Sequence, residues 1–475
     1  MYGSIDIWIL LVIALVYIVM IASCIVVVLS ENRNPIRSLS WVVALIFLPG
    51  IGLVFYLFFG RSLRGEHMIS RHNRRRMINT FQPNPVSLDS QPLSAEEKSL
   101  VKLARNLCTS FYTVNNEIEI FTDGRSKFEA MFRDLEQARE SIYIQYYIFL
   151  DDELGHRMAD LLIRKAREGL EVKVIYDHVG SFSAKRSFFT NMNRNGVETH
   201  PFFKVTFPQL ANRINWRNHR KVTVIDRRIG YIGGMNVADR YIDSYGIWRD
   251  THFRVTGNII DSMLASFLVD WNFKNPGERK ISIRAAVAPS VSNRCGMQLI
   301  TSGPLGHYDN IALCFLKAIS SATKRIYIQT PYFLPTDALL HALEAAALAK
   351  IDVRIMIPRR TDSKMLRYAS FSYVTQCLIA GIKIYLYDPG MLHAKAMIID
   401  DTLVTAGSTN FDFRSFENNF ECNLIVYDRD FNIRMRDIFF EDLRHCTKLT
   451  LPAWHRRPLG QRILESIVRL VSPIL

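Results

Sequence analysis

Two stretches of the chain decide its fold: NHRKVTVID at residues 218–226 and HAKAMIID at residues 393–400. Both contain a histidine, a lysine two residues later and an aspartate seven residues after the histidine. A glycine and an asparagine then follow each stretch at matching distances: Gly233, Asn236, Gly407 and Asn410. One such match arises by chance in a chain of this length at roughly the few-per-cent level, so two equivalent matches indicate a duplication.

The duplication extends upstream of both motifs. An amphipathic helical pattern precedes the sequence Ile-Tyr-Ile-Gln at residues 142–145 and again at residues 326–329. A second helical stretch and a second apolar strand follow in each copy, at residues 172–176 and 353–357. Strands that alternate with amphipathic helices indicate an α/β sandwich with a largely parallel sheet. We therefore predict an α/β fold in which two αβ-sandwich lobes form a pseudo-dimer within one chain.

The paired motifs suit chemistry at a phosphodiester. Residues i and i+2 of a strand share a face, so His219 and Lys221 are expected side by side, as are His393 and Lys395. Two lysines can neutralise the charge of a pentavalent phosphorus transition state without a metal. One imidazole can attack phosphorus while the other protonates the leaving alkoxide. Because each copy supplies one histidine and one lysine, both copies must meet at one site.

Each motif aspartate lies seven residues after its histidine, so in one strand the two side chains would point to opposite faces. We therefore expect the aspartates at strand ends or in hairpin turns. We include them in the motif set of candidate catalytic residues but expect an architectural role. The set is His219, Lys221, Asp226, His393, Lys395 and Asp400. No metal site or cofactor is predicted, because the seven cysteines form no Cys-x-x-Cys pair or Cys/His box.

An acidic residue follows each motif, Asp250 in the first copy and Glu421 in the second. A carboxylate on the far nitrogen of an imidazole would fix its tautomer and orientation. An ordinary salt bridge is the alternative for each residue. The symmetric placement of the two acids leaves both interpretations open.

The N-terminal region predicts a membrane anchor. Residues 7–29 are apolar and uncharged, which is long enough for a transmembrane helix, and no lysine or arginine precedes them as in a cleaved signal peptide. A second apolar run, residues 41–59, is broken by Pro49-Gly50, so it either completes a helical hairpin or forms a shallow re-entrant element. Six arginines between Arg61 and Arg76 place the chain after this run in the cytoplasm, and a hairpin would place both ends there.

The net charge of +14 favours polyanionic partners, either nucleic acid or an anionic membrane. Near the C-terminus, arginines beside an apolar helical stripe predict a helix that lies on the membrane or docks on the body of the protein. The predicted division is 1–62 for two membrane-spanning segments, 63–110 for a basic linker and short helix, 111–272 for the first lobe, 273–295 for a connection, 296–448 for the second lobe and 449–475 for an amphipathic tail.

The paired motifs resemble those of the phospholipase D superfamily. Within it, the whole chain resembles the bacterial cardiolipin synthases, including the two apolar runs, the Arg33/Pro35 loop, the approach to the first motif at Arg217 and the C-terminal tail. The resemblance implies phospholipase D-like lobes and a metal-free reaction in two steps. A histidine attacks one phosphatidylglycerol and expels glycerol, and a second phosphatidylglycerol then attacks the phosphohistidine to give cardiolipin.

The resemblance also implies roles, partners and location. His219 would be the nucleophile and His393 the general acid and then base, while Lys221, Lys395, Asn236 and Asn410 would hold phosphate oxygens. Turn chemistry is the alternative for the two asparagines. Phosphatidylglycerol and anionic membrane lipids are the expected partners, and nucleic acid is not. The protein is expected to be a multi-pass protein of the cell (inner) membrane, with its lobes in the cytoplasm. The sequence leaves the oligomeric state open.

Three other functions compete with this one. A phospholipase D that transfers the phosphatidyl group to water differs only in the acceptor, and phosphatidylethanolamine is an alternative donor. A phosphodiesterase or nuclease would explain the net charge but not the apolar runs. A non-enzymatic membrane scaffold is disfavoured because both histidine–lysine pairs are intact.

Overall fold

The computed structural model describes residues 2–30, 35–48, 50–56, 86–108, 110–204, 215–242, 247–274 and 295–471. The chain divides into two compact units, residues 1–63 with 205–215 and residues 64–204 with 216–475. The arginine cluster at 61–76, the end of the second apolar run and most of the predicted connection lie outside the described residues.

The described residues of the first unit form three apolar helices, α1 (Tyr2–Ser30), α2 (Pro35–Phe47) and α3 (Ile51–Phe55). Among the described residues, only Ile7–Val26 of α1 is long and apolar enough to cross a membrane. The 13-residue helix α2 spans about 20 Å, short of the roughly 30 Å hydrocarbon core. The predicted hairpin of two complete crossings is therefore not confirmed.

The second apolar run turns back on itself at the Pro49-Gly50 break. Gly50 has a φ of +77°, and a Cβ at Gly52 would lie 2.3 Å from the carbonyl oxygen of Ala44. The rings of Trp41 and Tyr56 are 5.5 Å apart, whereas a straight helix would separate these residues by about 22 Å. Helix α3 therefore runs back along α2.

In the second unit, α4 (Ala95–Cys108) precedes the first lobe, and a reciprocal Ser94–Glu97 capping box opens this helix. The first lobe follows. Its strands are β1 (Asn116–Phe121), β2 (Ser141–Tyr146), β3 (Glu171–Asp177), β4 (Glu198–Phe202), β5 (Arg217–Asn218), β6 (Lys221–Ile225), β7 (Ile229–Gly233), β8 (Trp248–Arg249) and β9 (His252–Gly257). Its helices are α5 (Gly124–Glu136), α6 (Glu153–Arg167), α7 (Arg186–Arg194) and α8 (Ile259–Lys274).

The second lobe repeats this plan. Its strands are β10 (Gly296–Ser302), β11 (Arg325–Gln329), β12 (Phe333–Leu334), β13 (Asp352–Pro358), β14 (Lys383–Tyr387), β15 (Met391–Leu392), β16 (Ala396–Ile399), β17 (Leu403–Gly407), β18 (Phe411–Asp412), β19 (Asn419–Tyr427) and β20 (Cys446–Lys448). Its helices are α9 (Asn310–Ser320), α10 (Asp337–Leu348), α11 (Lys364–Phe371), α12 (Val374–Ala380), α13 (Phe413–Glu417), α14 (Arg429–Leu443), α15 (Leu451–His455) and α16 (Leu459–Val471).

The two main sheets have the same strand order. The first is β1-β9-β7-β6-β2-β3-β4, and the second is β10-β19-β17-β16-β11-β13-β14 with β20 added at its edge. This equivalence confirms the duplicated α/β fold. The expectation of a largely parallel sheet was wrong, because only β2-β3-β4 and β11-β13-β14 are parallel runs. The motif strands are joined by tight turns, which only antiparallel neighbours can use.

Two short strand pairs join the lobes. Strand β5 of the first lobe pairs in parallel with β19 of the second, and β8 of the first pairs in parallel with β15 of the second. Each lobe also buries its own apolar cluster, around Met131 and Val174 in the first and around Ile328 and Ile355 in the second. The crossed pairs place the two motifs at the junction of the lobes.

The helix α16 is docked on the second lobe and has exposed apolar residues. Val468 is buried in the core of the second lobe, and Glu465 forms a buried ion pair with Arg457. Ile463 and Ile467 on the same helix remain more than half exposed. The helix therefore docks on the second lobe while it keeps an apolar stripe open to its surroundings.

Candidate active site

The two motif histidines lie at breaks between strands. His219 follows the two-residue strand β5, and His393 follows β15, so neither lies in the same strand as its lysine. The backbone N–H of His219 donates to the carbonyl of Phe420 at 2.9 Å, and that of His393 donates to Arg249 at 2.6 Å. Each histidine is thus held by backbone from the opposite lobe.

The two acidic residues cross between the lobes. Nδ1 of His219 lies 2.9 Å from Glu421 Oε1, and Nδ1 of His393 lies 2.6 Å from Asp250 Oδ2. Both carboxylates are fully buried. They are therefore imidazole partners rather than partners of a surface salt bridge, and they leave Nε2 of each ring as the nitrogen that can react.

The buried histidines are neutral at ordinary pH. Burial lowers the pKa of both His219 and His393 to about 4, against the opposing charges of Glu421 and Asp250. Burial alone would raise the pKa of Asp250 and of Glu421, but the paired histidines bring both values below their usual range. A neutral imidazole with an ionised partner is the form that can act as a nucleophile or a base.

The ammonium group of each motif lysine contacts the backbone of the histidine in the same motif. Nζ of Lys221 donates to the carbonyl of His219, and Nζ of Lys395 donates to that of His393, both at 2.5 Å. Burial lowers the pKa of Lys221 to about 7 and that of Lys395 to about 8, and the charge of Lys395 further lowers the pKa of Lys221. A bound phosphate would favour the charged form of both amines.

Both imidazoles line a single cavity of about 430 Å³ at the lobe junction. Asn236 and Asn410 also line it, but their amides differ in availability. Asn236 accepts from the backbone of Ile148 and donates to the hydroxyl of Tyr241. Asn410 donates to Asp412, and its carbonyl oxygen is buried without a partner in the described part of the chain. Asn236 is thus committed to contacts within the wall of the cavity.

The structure does not bring Asp226 and Asp400 to the cavity. Both lie in hairpin turns with φ near +50°. The carboxylate of Asp226 accepts three backbone N–H groups, from residues 139, 140 and 141, and that of Asp400 accepts those of residues 323, 324 and 325. These contacts hold the start of the central strand in each lobe, and the architectural role of both aspartates stays a prediction.

The sequence of the chain is similar to those of known proteins. The family described as "Cardiolipin synthase, PLD-like domain" matches residues 131–246 and 315–443, and "Phospholipase_D-nuclease N-terminal" matches residues 9–61. The cardiolipin synthase of Oceanobacillus iheyensis is 39% identical over 98% of this chain and 99% of its own length. The major cardiolipin synthase of Bacillus subtilis is 36% identical over 97% of this chain and 98% of its own. The chain belongs to the cardiolipin synthase family.

A solved structure supports the fold of this cardiolipin synthase family member. The phosphatidylserine synthase of Haemophilus influenzae matches with a TM-score of 0.61 at 15% identity, over 80% of this chain and 99% of its own. At that identity the likeness concerns the fold alone.

Sequence reasoning missed three arginines in this cardiolipin synthase cavity. Arg217, Arg240 and Arg414 line the same cavity as the two histidines. Arg240 and Arg414 each lie four residues after the motif asparagine of their lobe, a repeated spacing that could have revealed them. Arg217 has no such signal, because its counterpart two residues before His393 is Met391.

Proposed function

We propose that the chain is a phosphatidyltransferase that converts two phosphatidylglycerol molecules into cardiolipin and glycerol. The observation that carries the proposal is the crossed pair of imidazole–carboxylate contacts, which assembles two reactive histidines at one cavity. Relatives named cardiolipin synthase, similar over nearly the whole chain, support the choice of reaction.

In the first step, Nε2 of His219 attacks the phosphorus of the first lipid. The P–O bond to glycerol breaks, and His393 gives its proton to the leaving alkoxide. Lys221 and Lys395 stabilise the additional charge on the phosphoryl oxygens. The products are free glycerol and a phosphatidyl group bonded to His219.

In the second step, a hydroxyl of the second phosphatidylglycerol gives its proton to His393 and attacks the same phosphorus. The P–N bond breaks, cardiolipin leaves, and His219 returns to its neutral form. Glu421 orients His219 and stabilises its positive charge in both steps, and Asp250 does the same for His393.

Because the pKa of His393 is low, the substrate must help to protonate this histidine. A phosphodiester brings a negative charge into a buried site, and a nearby negative charge favours the imidazolium. Binding of the first lipid therefore prepares the general acid for the step that needs it.

The decisive assay uses purified full-length protein with phosphatidylglycerol in mixed micelles, without added metal. Cardiolipin with an equal amount of free glycerol is the expected result. Phosphatidic acid without cardiolipin would assign the chain to the hydrolases instead.

The chain is membrane-associated, and we propose that α1 crosses the bilayer once while α2 and α3 form a re-entrant element. The backbone N–H of Gly50 at the turn donates to the hydroxyl of Tyr17 at 3.0 Å, and Tyr17 lies midway along the span Ile7–Val26. A free backbone N–H at that depth is costly in hydrocarbon, so the hydroxyl satisfies a requirement of the bilayer.

This arrangement places all the flanking arginines on one side. Residues 1–30 contain no lysine or arginine, whereas Arg33, Arg37 and the six arginines between 61 and 76 follow α1. The positive-inside rule then puts the lobes in the cytoplasm and the beginning of α1 on the opposite face.

A further inference from the structure

The cavity is not symmetric about the two histidines. Tyr147 lies against His219, with ring centroids 4.9 Å apart. On the other flank, Trp248 lies 5.3 Å and Tyr241 lies 6.0 Å from His393. The flank of His393 thus has a wider aromatic wall, although the lobes are copies of one plan.

A carboxylate faces this anion-binding cavity on the His393 flank. Asp362, in the loop between β13 and α11, lines the cavity and accepts a hydrogen bond from the hydroxyl of Tyr332. The loop after the equivalent strand of the first lobe presents Val179 instead. A carboxylate would repel the phosphate of the substrate, so its place requires a ligand group that donates hydrogen bonds.

Asp362 lines the same cavity as His393, and its charge acts on that histidine. Burial lowers the pKa of His393, and the charge of Asp362 is among those that oppose the lowering. Asp362 has the same effect on Lys395, whose pKa burial also lowers. The carboxylate therefore lies on the side of the cavity where the leaving group receives its proton.

A cation accompanies this carboxylate. The guanidinium of Arg240 lies 5.5 Å from the ring centroids of both Tyr241 and Trp248. Its Nε is buried without a hydrogen-bond partner in the described part of the chain. A guanidinium donor that lines the cavity beside an aromatic wall suits a phosphate oxygen.

We propose that the His393 flank is the subsite for the glycerol head group of the second lipid, where Asp362 and Tyr332 bind its hydroxyls and Arg240 binds its phosphate. The inference rests on the proposed function and specifies its acceptor. The glycerol head group of an entering phosphatidylglycerol carries two hydroxyls. The phosphate of that lipid is separated from the reacting phosphorus by this one glycerol. Water offers neither, so the subsite favours transfer over hydrolysis.

The test separates the two half-reactions in purified full-length protein. A phosphatidyl-p-nitrophenol donor reports the first half-reaction through nitrophenolate, a leaving group without hydroxyls. Phosphatidylglycerol or free glycerol is then supplied as the acceptor, and the transfer product is measured against phosphatidic acid. Asp337→Ala, an exposed aspartate of the same lobe, is the matched control.

For Asp362→Ala, we expect the first-turnover burst of nitrophenolate to stay within about twofold of that of the unsubstituted protein. Transfer to either acceptor should fall about tenfold, because the hydroxyl contacts are lost. Tyr332→Phe should change the product ratio in the same direction. A fraction of misfolded protein would lower both products equally. An unchanged ratio of transfer product to phosphatidic acid would therefore overturn the assignment of Asp362.

For Arg240→Gln, we expect transfer to phosphatidylglycerol to fall about tenfold while transfer to free glycerol is retained, because free glycerol has no phosphate. Equal loss with both acceptors would overturn the assignment of Arg240. If the unsubstituted protein forms only phosphatidic acid from phosphatidylglycerol, the proposed function itself fails, and that result is visible before any variant is compared.

Discussion

Glu421 lies 2.9 Å from Nδ1 of His219, although 202 residues separate them in the chain. The reverse contact, from Asp250 to His393, has the same form. Each lobe therefore contributes the histidine of one half-site and the carboxylate of the other. Neither lobe alone contains a complete pair of active-site imidazole and carboxylate, so the chemistry requires both lobes.

Removal of either crossed carboxylate should lower the rate, and the two removals should change different limbs of the pH profile. Glu421→Gln and Asp250→Asn are each expected to lower kcat by at least about a hundredfold, because the imidazole loses its orientation and the charge that stabilises its cation. Glu421→Gln should also move the acid limb of the profile to lower pH, since His219 becomes harder to protonate. Asp250→Asn should move the basic limb to lower pH.

The pH profile separates these roles from a structural one. A carboxylate that only holds the lobes together would lower the rate equally at every pH. Parallel profiles for the variants and the unsubstituted protein would therefore contradict the positioning roles of Glu421 and Asp250.

Replacement of His219 and replacement of His393 should affect different steps of the reaction. His219→Ala should abolish formation of a phosphatidyl-enzyme with any donor, because the nucleophile is absent. His393→Ala should abolish turnover of phosphatidylglycerol but still allow a burst of nitrophenolate from phosphatidyl-p-nitrophenol, since that leaving group needs no proton. Mass spectrometry of acid-labile phosphate on the peptide that contains residue 219 provides the measurement. A labelled peptide containing residue 393 would make His393 the nucleophile and His219 the general acid. Near-full rates in either variant would refute the paired mechanism.

The motif aspartates should act on stability rather than on chemistry. Asp226→Ala and Asp400→Ala each remove three backbone hydrogen bonds to a carboxylate, which we expect to cost about 2 kcal/mol or more of the free energy of unfolding. Chemical denaturation measures this loss. The kcat per folded molecule should stay within a few-fold, whereas a loss of several hundredfold in protein of undiminished stability would restore the aspartates to the catalytic set.

The buried histidines should make the lobes sensitive to acid. Burial lowers the pKa of His219 and His393 from the ordinary 6.5 to about 4 in the folded protein, and lowers that of His252 well below 6.5. Between pH 6.5 and 4 the unfolded chain binds protons that the folded chain does not, so the stabilisation is complete above pH 6.5 and is lost as the pH falls.

The two active-site histidines should each contribute on the order of 3 kcal/mol to this loss. Denaturant midpoints measured across this range provide the test. The variant His219→Gln should flatten the dependence, and an equally steep dependence in that variant would contradict the assignment.

The sequence predicted the parts of the fold that are encoded locally. The repeated Ile-Tyr-Ile-Gln strands and the histidine–lysine–aspartate spacing identify both lobes, because they reflect strand periodicity and turn geometry within about ten residues. The crossed carboxylates could not be assigned to their histidines in this way. Their exchange depends on β5–β19 and β8–β15, two-residue pairings between distant parts of the chain that carry no periodicity of their own.

Other predictions from the sequence were wrong or incomplete for physical reasons. Strand direction was misjudged because the alternation of helices and strands was extended to the whole sheet, whereas a hairpin joins β6 to β7. Asp362 was missed because a single exposed aspartate in a loop has no sequence signal, and only its position in the cavity distinguishes it. The apolar composition of residues 41–59 could not separate a crossing from a re-entrant turn, since both need hydrophobic residues.

The topology of the N-terminal unit provides the last prediction. If α2 and α3 re-enter the bilayer, an epitope placed before α1 should be accessible to protease in intact spheroplasts, while one after residue 475 should require lysis. A hairpin of two crossings would protect both epitopes. Gly52→Leu should disturb the re-entrant turn, because a Cβ there would lie 2.3 Å from the carbonyl oxygen of Ala44. Gly460→Leu, at a glycine with open space around it, is the matched control. Protection of the N-terminal epitope in the unsubstituted protein would exclude the re-entrant arrangement and restore the hairpin.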